Sequence, residues 1–104
     1  VYTVHAGEEY ASRHNALQTE MAHAAIDAGA NLVIGHHPHV VQGLAFERDT
    51  LVAYSLGNFV FDGFAGNANK SAILHVTLST CGIESHKLIP VEIDSQGFPN
   101  LVLP

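Results

Sequence analysis

The order of three secondary-structure signals in the first third of the chain places the strongest constraint on its fold. A β-branched and aromatic run over residues 1–4 predicts a strand, and a short apolar run over residues 32–34 predicts a buried one. Between them, apolar residues recur at helical spacing from about Asn15, a candidate N-cap, to Ala28. Because strand, helix and strand follow one another with short connections, they predict a parallel pair joined by a right-handed crossover. The chain is therefore expected to have an α/β fold.

One face of the predicted helix is apolar, and we expect this face to pack against the sheet. Gly29 is placed to end the helix in a left-handed conformation. The residues of the expected packing face are Leu17, Met21, Ala24, Ala25 and Ala28.

After residue 40 the pattern changes and predicts a β-rich segment. Residues 41–47 and 51–55 flank Arg48-Asp49-Thr50, which predicts a hairpin turn, and polar and apolar residues alternate over 71–78. A further strand is expected from about residue 83 to residue 94. The chain is thus expected to be strand-helix-strand followed by strands.

Residues 1–104 are expected to form one partial domain, because the chain opens inside a strand without an initiator Met or a signal-like pattern. We expect the N-terminal part of the domain to precede it.

The formal charge of −6 argues against a nucleic-acid binder, which needs a basic face. The longest apolar runs fall well short of the roughly 20 residues of a membrane-spanning helix, so no membrane segment is expected. The fixed cations are Arg13, Arg48, Lys70 and Lys87.

Histidines gather where the two predicted parallel strands end. His5 follows the first strand, and His37 and His39 follow the second strand, on either side of a stiffening proline. In open α/β sheets, ligands bind at the carboxyl ends of the strands. Neutral imidazole is the commonest metal ligand in proteins, so these three histidines predict a metal site. His36 is expected beside it.

Three further residues are candidates for a supporting role. Glu9 is either a carboxylate that orients a ligating imidazole or an exposed loop acid. Ser55 and Asn58 either line the cleft or simply serve turn chemistry. The loop that follows Asn58 contains Phe59 and Phe61, which are expected to help form a wall of the site.

Three ordered motifs resemble the capsule-synthesis protein CapA family, also called the poly-gamma-glutamate synthesis protein family. They are His5-Ala6-Gly7-Glu8-Glu9-Tyr10, the stretch from Ala28 to Gly43 that contains Gly35-His36-His37-Pro38-His39, and Tyr54-Ser55-Leu56-Gly57-Asn58-Phe59-Val60-Phe61-Asp62. The family belongs to the calcineurin-like metallophosphoesterase superfamily. The resemblance implies the C-terminal part of a layered α/β sandwich.

The resemblance also implies a centre of two divalent metal ions, with His5, His37 and His39 as ligands. A match of the superfamily's Gly-His pair to Gly35-His36 is the alternative to His37. The other ligands lie upstream in the family, so no catalytic residue is assignable here and the segment alone is not expected to be active. Two such ions activate a water for phosphoryl displacement. Manganese, iron and zinc all suit imidazole.

The resemblance implies two alternative functions. The first is a metal-dependent phosphoesterase-like protein, a hydrolase, of capsule and poly-gamma-glutamate biosynthesis. The second is a non-catalytic module of the capsule machinery that binds polymer or assembles with other capsule-synthesis proteins. The expected partner is an anionic polymer or a phosphoester, and the expected location is extracytoplasmic, at the bacterial envelope, through an N-terminal anchor. Ala6 and Asn31 stand where the family commonly has tryptophan and aspartate, which makes substrate preference less transferable than metal binding.

Overall fold

A computed structural model describes residues 1–61 and 66–102, with two sheets and one α-helix. The first sheet has four strands in the order β1-β2-β4-β3, and the second has three in the order β5-β6-β7. β1 and β2 pair in parallel, as do β2 and β4, whereas β3 runs antiparallel to β4. The α/β fold class and the parallel pair predicted from the sequence are therefore confirmed. The strands are β1 Tyr2–His5, β2 Leu32–His36, β3 Val41–Glu47, β4 Thr50–Leu56, β5 Lys70–Ser79, β6 Gly82–Ile93 and β7 Pro99–Leu101.

The helix α1, Ala16–Asp27, starts at a reciprocal cap. The Asn15 side chain accepts a hydrogen bond from the Gln18 backbone N–H, and the Gln18 side chain accepts one from the Asn15 N–H. Such a capping box satisfies two of the backbone donors that a helix start leaves without partners. At the other end Gly29 has φ +105°, the positive φ that glycine adopts without a steric penalty. Both helix ends are as predicted.

The packing face of α1 differs from the expected one. Its buried residues are Gln18, Ala22 and Ala25, whereas Leu17 is 54% exposed. Gln18 can be buried because its side-chain amide donates to Gln42 Oε1 at 2.8 Å and to the Tyr54 carbonyl at 3.4 Å. Ala25 is the one residue of the expected face that is buried, and it also borders an open apolar hollow beside the first strand. The other expected residues that line this hollow are Met21, Ala24 and Ala28.

The core of the first sheet lies between α1 and the strands β2 and β4. Val33, Val52 and Tyr54 pack there against Ala22 and Ala25. The backbones of β2 and β4 approach closely at Gly35, where an added Cβ would lie 2.2 Å from the Tyr54 carbonyl oxygen. Glycine at this position is therefore a requirement of strand spacing.

The second half of the chain forms the predicted hairpin and the further strands that were expected after it. Arg48 and Asp49 both have positive φ and connect β3 to β4 as a two-residue turn, the geometry that matches strand twist. A short 3-10 helix, Gly66–Asn69, leads into β5, which pairs with β6 along its whole length. The second sheet packs on the first along β3 and β4. None of the helices in the described ranges is long and apolar enough to cross a membrane.

Candidate metal centre

Two loops run side by side from the carboxyl ends of β1 and β2. His5 and His36 are partners in the strand register, and the Ala6 N–H continues the ladder by donating to the His36 carbonyl at 2.9 Å. Further along, the Tyr10 N–H donates to the Pro38 carbonyl at 2.7 Å. These bonds bring the first histidine motif next to the second, as the strand order predicted.

The backbone of the second loop is in an uncommon conformation at both candidate histidines. His37 has φ 111° and His39 has φ 63°, and the neighbouring Tyr10 has φ 64°. Non-glycine residues held in such regions cost on the order of 1–3 kcal/mol each, and they concentrate at functional sites. Pro38, between the two histidines, is fully buried and fixes the turn by packing inside the protein. The fold thus holds His37 and His39 in place at a conformational cost.

Glu9, His37 and His39 form a cluster whose potential ligand atoms all lie within 4.8 Å of one another. Both histidines are half-buried and Glu9 is exposed. His5 stands beside this group, with its ring centroid 4.7 Å from that of His37. Imidazole nitrogen and carboxylate oxygen together suit manganese, iron and zinc, so the donor set fits a divalent metal. Glu9 is thus an exposed loop acid, and its carboxylate is also close enough to His37 and His39 to be a ligand itself.

Asn58 fixes the ring of His39. Its side-chain oxygen lies 2.7 Å from His39 Nδ1, and its side-chain nitrogen donates to the carbonyls of His39 at 3.4 Å and Ala68 at 3.3 Å. With the amide nitrogen committed to carbonyls, the amide oxygen can only accept, so His39 carries its proton on Nδ1 and its lone pair on Nε2. A partner of this kind orients metal-ligating histidines and sets their tautomer.

The second sheet holds Asn58 in turn. The Ser71 hydroxyl, at the start of β5, donates to the carbonyl of Asn58 and lies 2.9 Å from the carbonyl of Leu56. Gly57 has φ 77°, and an added Cβ there would lie 3.1 Å from the Lys70 carbonyl oxygen. Asn58 itself is 6% exposed. The turn that carries Asn58 is therefore clamped by β5.

Two aromatic rings contact the His39 imidazole. Tyr10 stacks on it with centroids 5.9 Å apart, and Phe61 meets it edge-on at 5.6 Å. Phe61 thus contacts the candidate site as the sequence predicted for its loop. Asp62, the last residue of that motif, lies outside the described residues.

Two candidates are not members of the cluster. Ser55 is 1% exposed, and its hydroxyl accepts a hydrogen bond from the Gly57 N–H at 3.3 Å, which is turn chemistry. His36 is exposed and lines a groove of about 390 Å³ together with Asn58 and Phe59. His36 is thus placed beside the cluster, and His37 is the histidine that the cluster contains.

A second group of titratable side chains lies on the helix side of the first sheet. His23 Nε2 lies 3.0 Å from Glu47 Oε2, and the Tyr54 hydroxyl donates to Glu47 Oε1 at 3.4 Å. The hydrogen bond to His23 lowers the pKa of Glu47, and burial raises the pKa of Tyr54. The His14 ring stacks on Tyr54 with centroids 3.7 Å apart. These contacts join α1 to β3 and β4, so this group has a structural role.

Sequence reasoning did not identify Tyr10 and Ser71 as parts of the site. Tyr10 directly follows Glu9, but its stacking on His39 depends on a positive φ that tyrosine rarely adopts. Ser71 belongs to an alternating strand pattern, which gives no sign of a bond to a distant turn. Gly57, directly after β4, is a local signal for the turn that carries Asn58, but it does not indicate that β5 binds this turn.

Comparison with known proteins gives consistent results across most of the chain. The model of the family described as bacterial capsule synthesis protein PGA_cap matches residues 1–63, which include the whole cluster. The capsule biosynthesis protein CapA of Bacillus anthracis is 37% identical over 102 residues, covering 98% of this chain and 25% of that protein. The PGA biosynthesis protein CapA of Bacillus subtilis (strain 168) is 38% identical over 89 residues, covering 86% of this chain and 23% of that protein. The chain thus spans about a quarter of the length of these curated relatives.

Proposed function

Because the chain belongs to the PGA_cap family of bacterial capsule synthesis proteins, we propose that it is part of a metal-dependent, phosphoesterase-like domain that acts in capsule and poly-gamma-glutamate biosynthesis. One observation carries the proposal. Glu9, His37 and His39 bring a carboxylate and two imidazoles within 4.8 Å of one another, beyond the carboxyl ends of the parallel strands β1 and β2.

The proposed centre holds two divalent ions, with His37, His39 and Glu9 as ligands and His5 contributing from the end of the neighbouring strand β1. Bound divalent ions supply Lewis acidity and an activated water for an in-line phosphoryl displacement. The described residues supply too few donors for two ions, so the proposal places the remaining ligands in the part of the relatives that this chain does not span.

The chain's own residues prepare the ligands for this role. Asn58 accepts from His39 Nδ1, which directs the Nε2 lone pair outward as a donor. Tyr10 and Phe61 pack against the same ring and limit its rotation. The exposed Glu9 carboxylate supplies negative charge, which balances part of the charge of a cation.

Metal analysis of the intact protein tests this proposal. We expect wild type to contain about two equivalents of metal, and His37→Ala and His39→Ala each to lose at least one of them. His75→Ala is the matched control, because His75 is an exposed histidine on β5 in the second sheet. Metal content that is the same in wild type and both site variants would remove the proposed ligands.

A second candidate function is a non-catalytic module that uses the same centre to bind polymer or a partner protein of the capsule machinery. It is favoured by the names of the relatives, which refer to biosynthesis and not to hydrolysis. Steady-state assays of the metal-loaded protein with bis-p-nitrophenyl phosphate and p-nitrophenyl phosphate separate the two. Metal-dependent turnover that is lost in His39→Ala supports the phosphoesterase, and full metal content without turnover supports the binding module.

The proposed location is the bacterial envelope, where a capsule is assembled. An anchor for this location would lie in the portion of the relatives outside this chain. Fractionation of cells that express the intact protein tests it, and recovery in the cytosolic fraction would contradict it.

A further inference from the structure

A small cavity of about 190 Å³ adjoins the candidate metal centre. It is built from the same two loops as the centre, because Tyr10 directly follows Glu9 and Val40 directly follows His39. The contact of the Tyr10 ring with the His39 ring, at 5.9 Å between centroids, forms the shared wall. The cavity is lined by Tyr10, Ser12, Val40, Val41 and Lys70.

The lining combines one cation with hydroxyl groups and an aliphatic wall. Lys70 brings an ammonium group, Ser12 and Tyr10 bring hydroxyls, and Val40 and Val41 bring methyl groups. An ammonium group beside hydroxyl donors matches a carboxylate or phosphate, and the methyl groups match a short aliphatic stem. Ligand pockets for whole drug-sized molecules have about 300–1,000 Å³. The cavity therefore fits a single anionic group of a larger ligand.

Lys70 is an unusual residue in this chain. The formal charge is −6, with only four lysines and arginines in the sequence. One of them, Arg48, is paired with Asp27 at 2.8 Å. The two ion pairs found within residues 1–61 and 66–102 do not involve Lys70. Its ammonium group can therefore meet an anionic ligand without first breaking one of these pairs.

The position of Lys70 is tied to that of the metal cluster. Lys70 begins β5 and is followed by Ser71, whose hydroxyl donates to the Asn58 carbonyl. Asn58 in turn bonds His39 Nδ1 at 2.7 Å. The backbone of Lys70 therefore has a fixed position relative to His39, as a residue that positions one end of a substrate requires.

We propose that this cavity is an anion subsite, in which Lys70 binds a carboxylate or phosphate group of an anionic substrate whose reacting part lies at the metal cluster. The inference rests on the proposed function for the identity of that reacting part. Glu9 directly precedes Tyr10 of the lining, and its carboxylate repels a nearby anion when no cation neutralises it. Metal loading therefore strengthens binding in the subsite.

Calorimetric titration of the intact protein tests the proposal with two probes, a γ-linked glutamate trimer and inorganic phosphate, each with and without manganese. We expect Lys70→Met to weaken binding of at least one probe by about 5- to 20-fold, the range for losing a charged hydrogen bond at a partly exposed site. Lys70→Arg should stay within about 3-fold of wild type, since the charge remains. Lys87→Met, a change at an exposed lysine on β6, is the matched control and should bind like wild type.

The two probes separate the two anionic groups. If Lys70→Met weakens binding of the glutamate trimer alone, the subsite binds a carboxylate. If it weakens binding of phosphate alone, the subsite binds a phosphate. Equal binding of both probes by wild type and Lys70→Met, or binding of neither probe by wild type, would overturn the subsite. Metal content is measured in the same samples. A wild-type protein without metal contradicts the proposed function, while its metal-free titrations still decide whether Lys70 binds the anion.

Discussion

The two sheets of this chain differ in how far their backbones depart from regular geometry. The carboxyl end of the first sheet carries positive φ at His37 and His39 and a close backbone approach at Gly35. In the second sheet, β5 pairs with β6 along its whole length, from Lys70 to Ser79, with one register shift. The loop with positive φ carries the candidate ligands His37 and His39. The regular second sheet keeps His39 in position, because Ser71 bonds Asn58 and Asn58 bonds His39. The candidate ligands are therefore positioned by a part of the chain that carries none of them.

The largest expected effect tests the tight spacing of the first sheet. In Gly35→Ala the new Cβ would lie 2.2 Å from the Tyr54 carbonyl oxygen, so one strand must move away from the other. We expect a loss of about 3 kcal/mol in the free energy of unfolding, at the upper end for overpacking. Chemical denaturation of the intact protein measures it. Leu78→Ala, at a half-exposed position of β5, should cost less than about 1 kcal/mol. Equal losses of unfolding free energy in both variants would contradict tighter strand spacing in the first sheet.

The next effect tests the link between the sheets. Asn58→Ala removes the acceptor at His39 Nδ1 and should weaken metal binding by about 10- to 100-fold, as loss of a partner that orients a ligand does. Asn58→Asp keeps an acceptor and should recover most of this loss. Ser71→Ala should give a smaller loss of about 3-fold, since it acts through Asn58. Competition with a chelating dye measures all three.

Thr77→Ala is the control for the link between the sheets, because Thr77 is exposed on the same strand as Ser71. We expect its metal affinity to equal that of wild type. If Ser71→Ala also has wild-type affinity while Asn58→Ala does not, the second sheet does not contribute to the site.

A third effect tests the conformational cost at His37. Glycine adopts φ 111° without the penalty that a side chain brings, so His37→Gly should be more stable than His37→Ala by about 1 kcal/mol. At His75, in a regular strand, the order should reverse, because glycine in a strand is less stable than alanine by roughly 0.5–1 kcal/mol. Thermal unfolding in the presence of a chelator measures both pairs. The same order at both positions would show that His37 is not strained.

The smallest effect concerns the helix side of the first sheet. The hydrogen bond from His23 lowers the pKa of Glu47 in the folded protein, so its contribution is present above the ordinary value of 4.5 and is lost as the pH falls below it. Both side chains are partly exposed, so Glu47→Gln should cost only about 0.5 kcal/mol at neutral pH. This cost should shrink in acid, as followed by urea denaturation across pH. Glu84→Gln, at an exposed position of β6, should show no such trend.

Local signals in the sequence were enough for most elements of the fold. Asn15 caps the helix, Gly29 ends it and Arg48-Asp49 turns the hairpin, each through bonds or φ angles that involve only near neighbours. The predicted packing face of the helix was right for Ala25 and wrong for Leu17, which is exposed, and it missed Gln18 and Ala22. Gln18 is buried through partners 24 and 36 residues away, Gln42 and Tyr54, and no local pattern indicates such partners.

Part of the candidate site could also be predicted from the sequence, and part could not. Strand order predicted that His5, His37 and His39 would come together, because the carboxyl ends of parallel strands share an edge. The distance of Glu9 from the histidines depends on the positive φ of Tyr10 and on its bond to Pro38, which sequence does not reveal. Metal binding by this group stays a prediction.

The backbone bonds Ala6 to His36 and Tyr10 to Pro38 have a further consequence for motion. They tie the loop that carries Glu9 to the loop that carries His37 and His39, so the two loops should fluctuate together. The donors would then be ordered before any ion arrives, and little conformational entropy would be lost on capture. Slow hydrogen exchange at the amides of Ala6 and Tyr10 in metal-free protein would be the signature of this shared rigidity.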